Sequence, residues 1–159
     1  MSDKNLQQRA QIDAAYKWDI EAMYPEEAQW EKDLTEAVKA AEAFTKYSGH
    51  LTDSADTLYE ALTEKDAIWR KLEHAFVYAA MRKDEDNRVS KYQSMDDQCG
   101  SAVAKAAAAM SFFAPELLAA PEETIRSWHS TATRSKMRSA KRSMYSAPLR
   151  RIFSPNSAK

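Results

Sequence analysis

The sequence predicts an all-α protein: a long antiparallel helical hairpin with one helix in front of it. Three observations carry this expectation. Two glycines and five prolines punctuate 159 residues that are otherwise rich in Ala, Glu, Lys and Leu, a helix-favouring composition. Apolar residues recur every three or four positions through three long segments, and no strand-like alternation competes with them. The apolar share of 44%, with four Trp, seven Tyr and five Phe, furnishes the core of one ordinary domain.

The first helix is expected near 25–47. Pro25 suits a first helical position, where its missing N–H has no intrahelical partner, and Glu26 and Glu27 suit the positive end of the dipole. Trp30, Leu34, Val38, Ala41 and Phe44 then form one apolar stripe. In "YSGHLTDS" Gly49 is placed to adopt a left-handed conformation that ends the helix, and Asp53 or Ser54 to cap the next. Upstream, Tyr16, Trp18 and Tyr24 are expected to pack across the helix start as a staple.

The second helix, near 55–83, carries Leu58, Leu62, Trp69, Leu72, Phe76 and Ala79 on its predicted seam, with Lys65 interrupting the seven-residue pattern and Glu60, Glu64 and Ile68 on the exposed side. "KDEDN", 83–87, reads as the turn, with Asp86 available to cap the third helix. That helix, near 87–113, steps through Val89, Tyr92, Cys99, Val103, Ala106, Met110 and Phe113 and is expected to stop at Pro115. Ala102, Ala104 and Ala106–Ala109 leave room for close approach, and Gly100 is expected at a helix crossing, since mid-helix it costs ~1 kcal/mol against Ala.

Charge divides the chain at residue 125. Up to that point 14 Lys and Arg face 24 Asp and Glu, whereas the remaining segment holds nine basic residues and no carboxylate. Residues 1–125 therefore form a helical body, and 126–159 a basic, Ser-rich tail expected to be disordered over 130–159. The tail admits two readings. Its Lys, Arg, Trp128, Tyr145 and Phe153 suit phosphate contact and base stacking, but the basic residues form no helical stripe and no recognition motif, so a non-native tail is favoured over a nucleic-acid arm. The polar N-terminus resembles no secretory signal, and "AVAKAAAAMSFFA" is interrupted by Lys105 and read as too short to span a bilayer. The single cysteine, Cys99, excludes an internal disulfide, and a cytoplasmic location follows as the expectation.

Four blocks in order, "YKWDIEAMYPEEAQWEKDL" (16–34), "GHLTDSADTLYEAL" (49–62), "FVYAAMRKDEDNRVSKYQSMDDQ" (76–98) and "AAMSFFAPELLAAPEETI" (108–125), carry a resemblance. Over residues ~9–125 the chain resembles the N-terminal region of the oligoendopeptidase F family, zinc metallopeptidases related to thimet oligopeptidase. The resemblance implies a helical wall or lid around a peptide-binding cleft, with zinc held elsewhere in the family by H-E-x-x-H. That motif is absent from this chain: Glu73 precedes His74, Tyr78 stands where a second ligand would be, and neither His50 nor His129 has a neighbouring Glu. An E-x-x-H pattern fails as well, because Tyr47, Lys71 and Arg126 stand three before the histidines.

No catalytic, cofactor-binding or metal-ligating residue is therefore assigned, and no enzyme activity is expected of the chain as given. The alternative is a helical-hairpin binding module that presents its basic tail to nucleic acid or an acidic partner. A loss of all carboxylates at one point suits a truncated or frame-shifted gene product. Cys99 reads as a buried structural thiol, His74 as a core-edge residue, and the carboxylates of 82–88 as neutralised by Arg82, Lys83 and Arg88 rather than metal-binding. The expected partner is a catalytic metallopeptidase region or a second copy, reached through an exposed cluster of Phe112, Phe113, Leu117 and Leu118, with Trp69 and Phe76 on the opposite, buried seam.

Overall fold

A computed structural model of the chain describes residues 11–128, and these form five helices joined by short turns. The helices are α1 (Glu27–Ala43), α2 (Ala55–Glu85), α3 (Ser90–Ala109), α4 (Phe113–Ala119) and α5 (Glu122–Ser127), with single 3-10 turns at Ala14–Tyr16, Ile20–Ala22 and Phe44–Tyr47. Among the described residues there is no strand, and the fold they make is all-α. The expected disorder of the tail falls outside the described residues.

The α2–α3 hairpin is antiparallel, and α1 packs against both of its arms, which makes a three-helix body. Its register is fixed near the turn by the ion pair of Lys83 with Asp96 and near the far end by Lys65, whose ammonium lies 5.3 Å from the Phe113 ring centroid. The core runs from Ile20 and Tyr24 through Trp30, Leu34, Ala37, Ala41 and Phe44 to the inner faces of α2 and α3. Trp30 enters this core with its indole N–H satisfied, donating to the Ala75 carbonyl at 2.9 Å. Ser54 caps α2 by accepting from the Thr57 N–H at 3.0 Å, and Gly49 has the expected left-handed backbone at φ 81°.

Several expectations are corrected. Pro25 lies two residues before α1, in a bend, so the helix opens at Glu27. Tyr24 is buried, but Tyr16 and Trp18 are 84% and 74% exposed and line a groove against the end of α2. On α2 the buried arc is Ile68, Leu72, Ala75, Tyr78 and Ala79, whereas Phe76 is 41% exposed. Bulk drew the expected seam toward Leu62, Trp69 and Phe76, but the centre of a closely packed face is filled by alanines, and the large residues fall on its flank. Glu64, read as exposed, accepts from Tyr47 Oη at 2.9 Å and pairs with Lys46 at 2.7 Å.

The turn is also shifted. α2 continues through Glu85, and Asp86 does not cap α3; its carboxylate takes the Arg88 backbone N–H and guanidinium at 3.0, 2.8 and 2.7 Å, closing a local turn. Gly100 is exposed, with open space where a side chain would stand, so it marks no crossing; Ala102 and Ala106 make the close approach.

α3 ends at Ala109, well before Pro115, and no breaker residue is responsible. Phe112 and Phe113 turn back onto Phe44, with ring centroids at 5.9 and 6.1 Å, and that packing outweighs helix propagation. Pro115 then sits in the first turn of α4, where it needs no N–H partner. Phe113 is buried and Phe112 and Leu117 partly so, which leaves Leu118, 86% exposed, from the cluster expected to be open. The stretch Ser90–Ala119 does contain a window long and apolar enough to cross a membrane by length and composition, contrary to the expectation. Here it is broken at 110–112, and Met95, Cys99, Ala102 and Ala106 are buried in the core.

Candidate functional site

The titratable groups of the described residues fall into separate places. His50 lies in the loop before α2, its Nδ1 2.8 Å from Asp53 Oδ2. His74 lies about six turns along α2, roughly 30 Å from that loop by helical rise. His129 lies outside the described residues. Among the described residues no group of three or more His, Cys, Asp or Glu is placed to hold a metal ion.

The densest polar cluster sits where α1 meets the C-terminal half of α2. Tyr24 packs on the His74 ring at 4.7 Å and edge-on to Tyr78 at 5.1 Å. Tyr24 Oη donates to Asp33 at 3.3 Å, Gln29 donates to the same carboxylate at 3.0 Å, and Lys71 lies 3.8 Å from it and 2.7 Å from Glu36. Burial pushes the Tyr24 phenol well above its ordinary value, and Asp33 reinforces the shift. Burial also lowers His74, against the opposing pull of Asp33, so the imidazole is held neutral. Arg82 closes the cluster, donating to Tyr78 Oη at 3.3 Å and pairing with Glu21 and Glu85 at 3.0 and 3.2 Å.

This arrangement is built to hold α1 on α2. It brings no nucleophile next to a base, and its carboxylates are already paired with cations. Cys99 offers none either: it is fully buried beside Trp30, and its thiol is pushed up to about 11, chiefly by burial. A groove of about 330 Å³ runs between the strap carrying Ile12, Tyr16 and Trp18 and the end of α2 at Met81 and Glu85. Its exposed aromatics were legible as "YKWD", but their exposure was not.

Zinc, which the resemblance implies for the family, does not fit the described residues, because His50, His74 and Cys99 lie on different elements and gather no third donor. Within 82–88 Glu85 pairs with Arg82 and Asp86 with Arg88, while Lys83 goes to Asp96.

Comparison with known proteins adds what the chain is similar to. Oligopeptidase PepF of Bacillus subtilis is 35% identical over 121 residues, which is 76% of this chain and 18% of that protein. The chain is related to the oligoendopeptidase F family. Group B oligopeptidase PepB of Streptococcus agalactiae is 33% identical over 120 residues, and the plasmid-encoded oligoendopeptidase F of Lactococcus lactis subsp. cremoris 30% over 122, each covering 76% of this chain and 20% of the relative. The chain thus spans about a fifth of the length of the curated relatives it matches. No family model and no solved structure matches it.

Proposed function

We propose that this chain is the N-terminal helical wall of an oligoendopeptidase F-type peptidase, a part that restricts access to a peptide-binding cleft and performs no hydrolysis alone. The observation that carries this is the size of the match: 121 residues at 35% identity make up most of this chain and 18% of the relative. H-E-x-x-H is absent from the 159 residues, and the separation of His50 from His74 agrees with a non-catalytic role. In this reading the metal and the catalytic glutamate belong to chain that the relatives have beyond the matched stretch. A cytoplasmic setting accords with bacterial oligopeptidases as relatives and with a lone, buried thiol.

The test is direct. The purified chain, with and without added zinc, is incubated with an internally quenched oligopeptide, beside Bacillus subtilis oligopeptidase PepF as the positive control. No cleavage by the chain is expected. Zinc-dependent cleavage that disappears in His74→Ala or His50→Ala would overturn the proposal.

A further inference from the structure

The two sides of the α2–α3 hairpin are finished differently. On the side covered by α1, ion pairs cross between helices: Lys71 to Asp33 and Glu36, Lys46 to Glu64, and Lys91 to Glu27. The flank of α2 turned away from α1 carries Leu62, Trp69 and Phe76, with exposed Asp66 and Glu73 along its edge and Val77 beyond them. The hairpin register places Phe76 level with Val103 of α3. Phe76 and Val77 are 41% and 40% exposed, and Leu62, Trp69 and Val103 are only partly buried. On α3, exposed Gly100 and Ala104 add no bulk that would cover them.

This stripe is an apolar patch edged by two exposed carboxylates, Asp66 and Glu73, with the Lys83–Asp96 ion pair at its end, and its aromatic centre is a poor surface to leave in water. The matched stretch is only 18–20% of the relatives' length, so each of them carries several times this mass of further chain. We propose that the open α2–α3 face, centred on Phe76 and Val103, is the surface on which the remainder of an oligoendopeptidase F-type chain packs. This rests on the reading of the chain as part of such a peptidase, and it adds the contact face. The partner surface is apolar where it meets Trp69, Phe76 and Val103, since charges there would be left unpaired, and basic or polar where it meets Asp66 and Glu73 at the edge. It also turns the ion-paired α1 side outward, away from the catalytic part.

The experiment compares one pair of substitutions in two settings. In the first, this chain's matched residues replace the corresponding segment of Bacillus subtilis oligopeptidase PepF; in the second, the chain stands alone. Phe76→Asp with Val77→Asp is expected to lower the melting temperature of the chimera by about 5 °C or more and its oligopeptide cleavage at least tenfold. In the isolated chain, where both residues already meet solvent, the shift should stay near 1 °C, as for surface substitutions. Tyr16→Ser with Trp18→Ser, on the other exposed aromatic patch, should leave the chimera unchanged. An active chimera in which the Phe76 and Val77 pair is silent would overturn the face while leaving the peptidase reading intact. An isolated chain that sediments as a dimer, and becomes monomeric with the same pair, would reassign the face to a second copy. A chimera that melts in two independent transitions and cleaves nothing would overturn the face and the peptidase reading together.

Discussion

Two aromatic clusters tie α1 and its flanks to the hairpin, one at each half of α2, and they are made of opposite chemistry. At the N-terminal half, Phe44 meets Phe112 and Phe113 at about 6 Å and Tyr47 at 5.1 Å, and the single phenol there turns its hydroxyl outward to Glu64. At the C-terminal half, Tyr24 meets His74 and Tyr78, and each ring carries a polar atom engaged with Asp33 or Arg82 or facing them. Both are buried: Phe44, Tyr24 and Tyr78 all lie in the core. The difference separates two jobs. Phenyl rings supply buried area with little preference for orientation, whereas each phenol and imidazole demands a partner and so fixes how α1 is rotated on α2. The first cluster should therefore dominate stability, and the second should decide its dependence on pH.

The strongest way to break this contrast is Phe44→Ala. Phe44 is fully buried at the junction of α1, α2 and α4, so its loss removes apolar area and opens a cavity that three helices cannot all close. A destabilisation of about 3–5 kcal/mol is expected in urea unfolding followed by circular dichroism. A value under about 1 kcal/mol would mean that the Phe112–Phe113 turn repacks freely, and would remove the first half of the comparison.

A second substitution asks how this apolar end is anchored. Glu116 of α4 spans the loop before α2, its two carboxylate oxygens accepting from the Gly49 and Leu51 N–H groups at 2.8 Å each. Leu51 is fully buried, so its amide has little access to water if the carboxylate leaves. Glu116→Ala should cost about 2 kcal/mol, given ~1.5–3 kcal/mol for hydrogen bonds to charged groups, and should speed hydrogen exchange at Leu51 first. An unchanged exchange rate would show that Phe113 alone holds α4 in place.

These features also mark what was legible in the sequence. The three long helices, the Ser54 cap and the left-handed Gly49 could be read because each depends on residues within one turn of itself. The Phe44 cluster could not, because α3 ends by a contact between residues almost 70 positions apart rather than by a breaker. The same holds for the face of α2: periodicity gave the helix, but the choice between Phe76 outward and Ile68 inward depends on where α1 and α3 lie. The Tyr24–His74–Asp33 cluster was invisible as a unit, since its members come from a loop, α1 and α2.

The smallest expected effect sharpens the other half of the contrast. His74 has its pKa lowered by burial against Tyr24, with Asp33 pulling the other way, and these are the titratable groups that face it. A folded-state pKa below the ordinary 6.5 means that the unfolded chain binds the proton more readily. The stability that a neutral His74 contributes is therefore complete above about pH 6.5 and is lost as pH falls through the lower, folded value. Carboxylates act in a different window, because Glu36, lowered by its bond to Lys71, loses its contribution only below its ordinary 4.5, and Asp86, lowered to about 2 by Arg88, lower still. Unfolding by urea at intervals from pH 7.5 to 5 should thus show a shallow decline in stability, and His74→Gln should flatten it without changing the steeper loss below pH 4.5. A wild-type profile that is level from 7.5 to 5, or a decline that persists in His74→Gln, would show that the tyrosine-rich end is as insensitive to protons as the phenylalanine end, and the two clusters would then differ in composition but not in behaviour.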